Sequence, residues 1–444
     1  MLGVTKMKNK KSTKTISIIL SMLMATSMVS AVSTTAFAAE TTSSSSTQFD
    51  LDGFCTDSDT VKYQPATDSN HDGCFEISNA GQLFWFAEQV NSGHNNYNAE
   101  LTKSIYLNKM YVDENTTNAK TWTPIGDINN QYKGTFNGNN HYIYGIYIND
   151  AETSGIGLFS YINQLGTVKN VKLSNLYLNG YYDIGGISSC NLGTIDNCEI
   201  QGGKAHILGN NWVGGICSSN HGTITNCENY QSTIRGYSDI GGICYSNYGS
   251  IVNCQNSGSV TSTKYSAGGI CAENTGYINK CVNTGYVSNI QGKAGGICGN
   301  NQRNTIENCS NFQDIEAGYI ASGICCSNDG HIKSCYNMGG IYATGNGFSA
   351  GICGDNNNYF GGSIENCFND KVFSKTTALK YGNLESVKNV LDVDPSAFES
   401  GEVTYLLNNG VTDGSQVWYQ TIGDCSYPDF IGKTVYCNSG VYTN

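Results

Sequence analysis

Asp183 and Asp239 are the two side chains whose type and spacing come nearest to catalysis. They hold equivalent places two repeats apart, roughly 9–10 Å if each repeat is one rung of a parallel stack. That is near the upper end for an inverting glycosidase pair. Column repetition alone produces such pairs, however, and no cluster of catalytic side chains accompanies these two. Trp212 stands between them in a column, two places before each glycine pair, that runs on through Ser266, Lys293, Ile320 and Phe348. The column is expected to face outward, with Tyr182, Tyr237, Tyr265 and Tyr319 nearby. Exposed rings along a rigid face stack on sugars or dock on proteins; the competing reading is a row of rings packing the corners.

Other chemistries lack their residues. The six histidines (His71, His94, His141, His206, His221, His331) contain no HExxH pair for zinc. A lyase needs a basic catalytic group, and Arg235 and Arg303 are the only arginines. Calcium-binding nonapeptides, P-loop and dinucleotide signatures are missing. No cofactor and no metal is therefore expected.

The elements that must hold these residues are repeats. Gly-Gly-Ile recurs at Gly185, Gly214, Gly241, Gly268 and Gly295, then as Ser322-Gly323-Ile324 and Ala350-Gly351-Ile352, in steps of 27 to 29 residues. A second motif, G-x-I-x-x-C, ends at Cys198, Cys227, Cys254, Cys281, Cys309, Cys335 and Cys367. A looser third one places Ile234, Val260, Val287, Ile315 and Ile341. Three short apolar segments fenced by Gly, Asn and Ser read as strands and turns. A repeat so small buries its apolar face only by stacking. The expectation is an all-β, right-handed parallel β-helix of about nine coils over residues 132–375, right-handed because parallel crossovers are.

Cys217, Cys244, Cys271, Cys298, Cys325 and Cys353 form a column beside the G-x-I-x-x-C series. Their Cβ vectors run parallel instead of converging, which favours stacked core thiols over disulfides. Cys55–Cys74 and Cys425–Cys437, outside the repeats, are better disulfide candidates. Two asparagine columns, from Asn191 to Asn356 and from Asn229 to Asn337, read as hydrogen-bonded amide ladders.

Residues 1–39 read as a secretory leader: Lys6, Lys8, Lys10, Lys11 and Lys14, an apolar stretch, and Ala36-Phe37-Ala38 for cleavage. Met7 is an alternative start. Losing the five lysines takes the formal net charge from −12 to −17, which repels nucleic acid and anionic lipid. No other stretch suits membrane insertion. Residues 40–78 read as a polar lead-in. Residues 79–131 read as an N-terminal cap whose helix, AGQLFWFAEQV, is N-capped by Asn79. Residues 376–444 form a C-terminal cap, with a helix in AFESGEVTYLLNNG ending at Gly410 and a strand-rich tail. Gly440–Asn444 carries neither a sortase-type signal nor an apolar tail, so release, or non-covalent surface attachment, is expected.

With WTPIGD (Trp122 to Asp127), GTFNGNNHYIYGIYI, GLFSYI and the GGIC…GTIxNC coils in view, the chain resembles the bacterial GLUG-motif repeat proteins across roughly residues 75–440. The resemblance implies a secreted or surface scaffold with a tendency towards adhesion. Some members carry an IgA-peptidase-type metalloprotease domain, whose zinc motif this chain lacks. The expected function is an extracellular, non-enzymatic module binding a glycan or a host surface protein, with Tyr182, Asp183, Trp212, Asp239, Tyr265, Tyr319 and Phe348 as candidate contacts. A β-helical glycan-degrading enzyme and a passive spacer are the alternatives.

Overall fold

The computed structural model describes residues 64–108, 111–357 and 361–444. Residues 1–39, expected as a leader, and Cys55 lie outside the described residues. The fold is an all-β parallel solenoid. One ladder runs through the G-x-I strands, with Thr194–Asp196 paired to Thr223–Thr225, then to Ser250–Val252 and onward, isoleucine above isoleucine. It begins at Cys74–Ile77 and Asn98–Leu101 and ends at Val387–Val393, giving about twelve turns instead of the expected nine. The extra rungs escape sequence reading because they lack the glycine pair and the asparagines.

Each landmark has a physical cause. The glycine pair marks a corner where chain meets chain. A Cβ on Gly241 would lie 1.7 Å from the Cys244 carbonyl oxygen, and one on Gly242 would lie 2.0 Å from that of Gly269. Neither has positive φ, so close approach requires the glycines, not backbone freedom. In the G-x-I-x-N-C motif the asparagine turns another corner. Asn197, Asn226, Asn253, Asn308 and Asn366 sit at φ 50–54°, the left-handed region that asparagine tolerates. The isoleucines between these corners are fully buried and form one continuous core.

The polar residues inside that core are paired. Asn191, Asn220, Asn247, Asn274, Asn301 and Asn328 each donate from Nδ2 to the Oδ1 of the next coil's asparagine at 2.8 Å, down to Asn356. A second ladder runs from Asn229 through Asn256, Asn283, Asn311 and Asn337 to Asn369. Both columns are buried to within 1%. The repeat cysteines are buried and free. Their thiols find backbone carbonyls, as Cys227 does at Thr225 (3.1 Å), and burial pushes Cys198, Cys227 and Cys244 well above the ordinary thiol range. Cys425 and Cys437 are also free, contrary to the disulfide expectation. Cys437 is held in the Tyr436–Asn438 hairpin strand opposite Tyr442.

The helix Ala80–Asn91 forms as expected, with Asn79 Oδ1 accepting from Gln82 N–H. It lays Phe86 against Tyr132 and Phe136 in the first rungs. The expected C-terminal helix is two short ones, Pro395–Glu399 and Glu402–Leu407, broken at Gly401 with φ 88°. They pack with Trp418 and Tyr427 on outward residues Tyr336, Met338 and Phe368. This region therefore covers the side of the solenoid.

Asn247→Ala strands its partners' polar groups inside the core and should cost about 3 kcal/mol in urea unfolding, since each buried orphan costs ~1–3 kcal/mol. Thiol counting on the unfolded, unreduced protein should find the repeat cysteines free. Their complete oxidation would contradict the stacking geometry.

Candidate functional site

The longest strands, Tyr177–Gly185, His206–Gly214, Thr233–Gly241 and Ser259–Gly268, pair in parallel and carry the candidate residues. Each is broken near its end by one residue in the left-handed region: Asp183 (φ 58°), Trp212 (60°), Asp239 (50°) and Tyr265 (56°). Aspartate tolerates this conformation, whereas bulky aromatics rarely adopt it. In the fourth strand the register slips: Ser238 faces Lys264, but Ile240 faces Ala267. Tyr265 and Ser266 thus oppose the single residue Asp239, a β-bulge. These corners adjoin the strands that follow each glycine pair, Ser188–Asn191, Cys217–Asn220 and Cys244–Asn247.

Rings and carboxylates converge there. Trp212 stacks on Tyr245 (centroids 5.8 Å apart, 9° between planes) and meets Tyr182 at 5.3 Å. Tyr181 continues the row at 4.4 Å from Tyr182. Trp212 keeps 38% of its surface exposed. Ser218 Oγ lies 2.7 Å from the Trp212 carbonyl oxygen and 3.3 Å from Asp183 Oδ1. Asp239 accepts from the Ser266 N–H (3.1 Å) and from the Ser238 hydroxyl. Glu273 accepts from Asn300 (2.5 Å) and Gln302 (2.8 Å), and Asn300 also donates to Ser266 Oγ (2.9 Å). Lys293 Nζ closes the network on Asn300 Oδ1 (3.0 Å) and Ser327 Oγ (2.9 Å).

Burial dominates the electrostatics. It pushes Asp183, Asp239 and Glu273 above the usual carboxylate range, and for Glu273 the charge of Asp239 adds to it. Tyr245 rises for the same reason, with Asp239, Glu273 and Asp183 all opposing its ionisation. The corner thus offers half-buried acids that hold protons longer than free carboxylates, beside open aromatic faces.

Of the sequence candidates, Tyr182, Asp183, Trp212 and Asp239 come together here. Tyr237 sits on the same strand face with Lys264 Nζ 5.4 Å from its ring. Tyr265 is 63% exposed. Tyr319 and Phe348 belong to a separate patch with Tyr381, at 6.2 Å and 4.7 Å. The column does not face outward throughout, because Ser266 and Ile320 are buried. Sequence reading missed Tyr181, Ser218, Tyr245 and Glu273. For Glu273 the available signal was the polar column two places after each cysteine, where Ser219, Ser246, Glu273, Asn300 and Ser327 are in register.

No family model matches the chain. A protein of Evansella cellulosilytica, named "Putative Gly-rich membrane protein", is 33% identical over 108 residues, 24% of this chain. The match spans only 12% of that relative's length. A solved structure from Bacteroides ovatus, described as "a putative immunoglobulin A1 protease", aligns with 82% of this chain and 93% of its own. Its TM-score is 0.39 at 18% identity.

Groups whose folded pKa is raised stabilise the fold at low pH and lose that contribution as pH rises through the folded value. Asp239→Asn and Glu273→Gln should therefore gain melting temperature relative to the parent chain as pH rises from about 4, the ordinary carboxylate range, towards neutrality. An unchanged difference across that window would remove the burial argument.

Proposed function

We propose that this chain is a secreted, non-enzymatic solenoid of the GLUG-repeat type that binds extracellular glycans through the Trp212 corner. One observation carries the reading: a half-exposed Trp212, held at φ 60°, stacked on Tyr245 and tilted against Tyr182, beside half-buried acids. A bulky residue in the left-handed region costs of order 1–3 kcal/mol and persists where its surroundings dictate it. Rigid rings offer large apolar area at little entropy cost, and the flanking acids exchange hydrogen bonds with sugar hydroxyls. The acidic net charge favours neutral or cationic ligands over anionic ones. A host surface protein seated on the same rings is the variant of this reading.

A second reading, glycan cleavage, draws on the raised Asp183, Asp239 and Glu273. A carboxyl that burial holds above its ordinary range is the kind of group that serves as a general acid. Product analysis after incubation with polysaccharides separates the two, since a binder leaves chain length unchanged.

A glycan array probed with the mature chain should return ligands. Trp212→Ala should weaken them by more than about 1 kcal/mol, roughly fivefold, as aromatic hot spots do, with the circular dichroism of the solenoid intact. Unchanged affinity would leave the corner as packing alone.

A further inference from the structure

A second constellation lies on another strand series. Tyr142–Tyr144, Lys172–Ser174, Glu199–Gln201 and Glu228–Tyr230 pair in parallel, so Tyr142, Lys172, Glu199 and Glu228 form one column. The residues between, Ile143, Leu173, Ile200 and Asn229, are buried; the column therefore stands on the outer face.

Its members are joined in a closed circuit. Tyr106 stacks on Tyr144 at 4.5 Å and 11°, and Tyr144 on Tyr142 at 5.2 Å and 18°. Lys172 Nζ stands 5.6 Å from the Tyr142 ring centre and 3.1 Å from Glu199 Oε2. Gln201 donates to Glu199 Oε1 (2.8 Å) and accepts from the Tyr142 hydroxyl (2.7 Å). Lys172 and Glu199 thereby neutralise each other. The Glu228 carboxyl, one rung further, makes no side-chain hydrogen bond or ion pair among the described residues. The only cationic charge to reach it is that of Lys172, already paired with Glu199. On its far side stands the uncharged Gln255, and Tyr230, 38% exposed, is two residues along its own strand. A half-buried carboxyl without a cation of its own is costly and takes one from a ligand.

We propose that this strip is a second saccharide site, in which an oligosaccharide of amino sugars lies along the solenoid axis with one end on the tyrosine stack and a protonated amine on Glu228. The rung spacing of about 4.8 Å approximates the advance per sugar of an extended glycan, so successive rings meet successive rungs. The inference stands apart from the Trp212 reading, because the residues differ and each site has its own variant.

Burial, then the charge of Glu199, raises the Glu228 carboxyl to about 7, and Lys172 opposes them. An ammonium ligand stabilises the ionised form, lowers that value and expels a proton below pH 7. The test is calorimetric titration of the mature chain with a glucosamine tetramer, in two buffers of different ionisation enthalpy. Binding should release protons at pH 6, where the sugar amines are already protonated and free Glu228 still holds its proton, and weaken from pH 6.5 to 5. The N-acetylglucosamine tetramer and Glu228→Gln should each lose at least tenfold, and Trp212→Ala should change nothing. The absence of binding, equal affinity for the acetylated tetramer, unaltered binding by Glu228→Gln, or no proton release would each overturn the proposal. The pH series on the parent chain needs no variant to fold.

Discussion

The structure depends on each coil lying in register on the one before. The backbone ladders fix the direction of stacking, and the buried isoleucines of each strand already resist a one-residue slip, which would turn them outward. The buried asparagines add a second lock. A side-chain amide offers donors and an acceptor, and in both columns the donor of one coil meets the acceptor of the next. A slip by one residue would bury unpaired amides in an otherwise apolar core, at a cost of kilocalories for each. The ladders end where partners remain: Asn356 donates to the Asn383 carbonyl and Asn369 to Asp392.

Register is also what makes a surface. Once coils cannot slip, every outward position becomes a column, and changing one residue per turn rewrites the face without disturbing the core. The two strips differ because their backbones differ. The Lys172–Glu228 column lies on regular strands, so its side chains stand a rung apart. The Asp183–Trp212–Asp239 column lies on residues turned into the left-handed region, and rings and acids there gather at a corner instead of alternating across a sheet.

Much of the scaffold was legible in the sequence, since glycine pairs, cysteines and asparagines recur wherever close approach or amide pairing demands them. The coil count fell short because the terminal rungs are filled differently. The rungs outside residues 132–375 bury Ile77, Ala99, Leu101 and Ile105 at one end and set Val387 and Val390 against the core at the other, which leave no repeating mark. The candidate corner was half legible. Asp183, Trp212 and Asp239 share a spacing, but Tyr245 and Glu273 come from the following strand, and only the fold shows which strand flanks which. The outward assignment failed at Ser266 because the inserted Tyr265 shifts the local pairing, a one-residue bulge that spacing does not reveal.

Native-state hydrogen exchange, read residue by residue, tests the register argument most directly. If the amide ladders lock the coils into one unit, backbone amides of the rungs from Ser188 to Asn356 should exchange together, at the rate of global unfolding, with the corner residues Asp183, Trp212 and Asp239 opening faster. Coils that exchange independently of one another, with protection unrelated to the asparagine columns, would contradict the account.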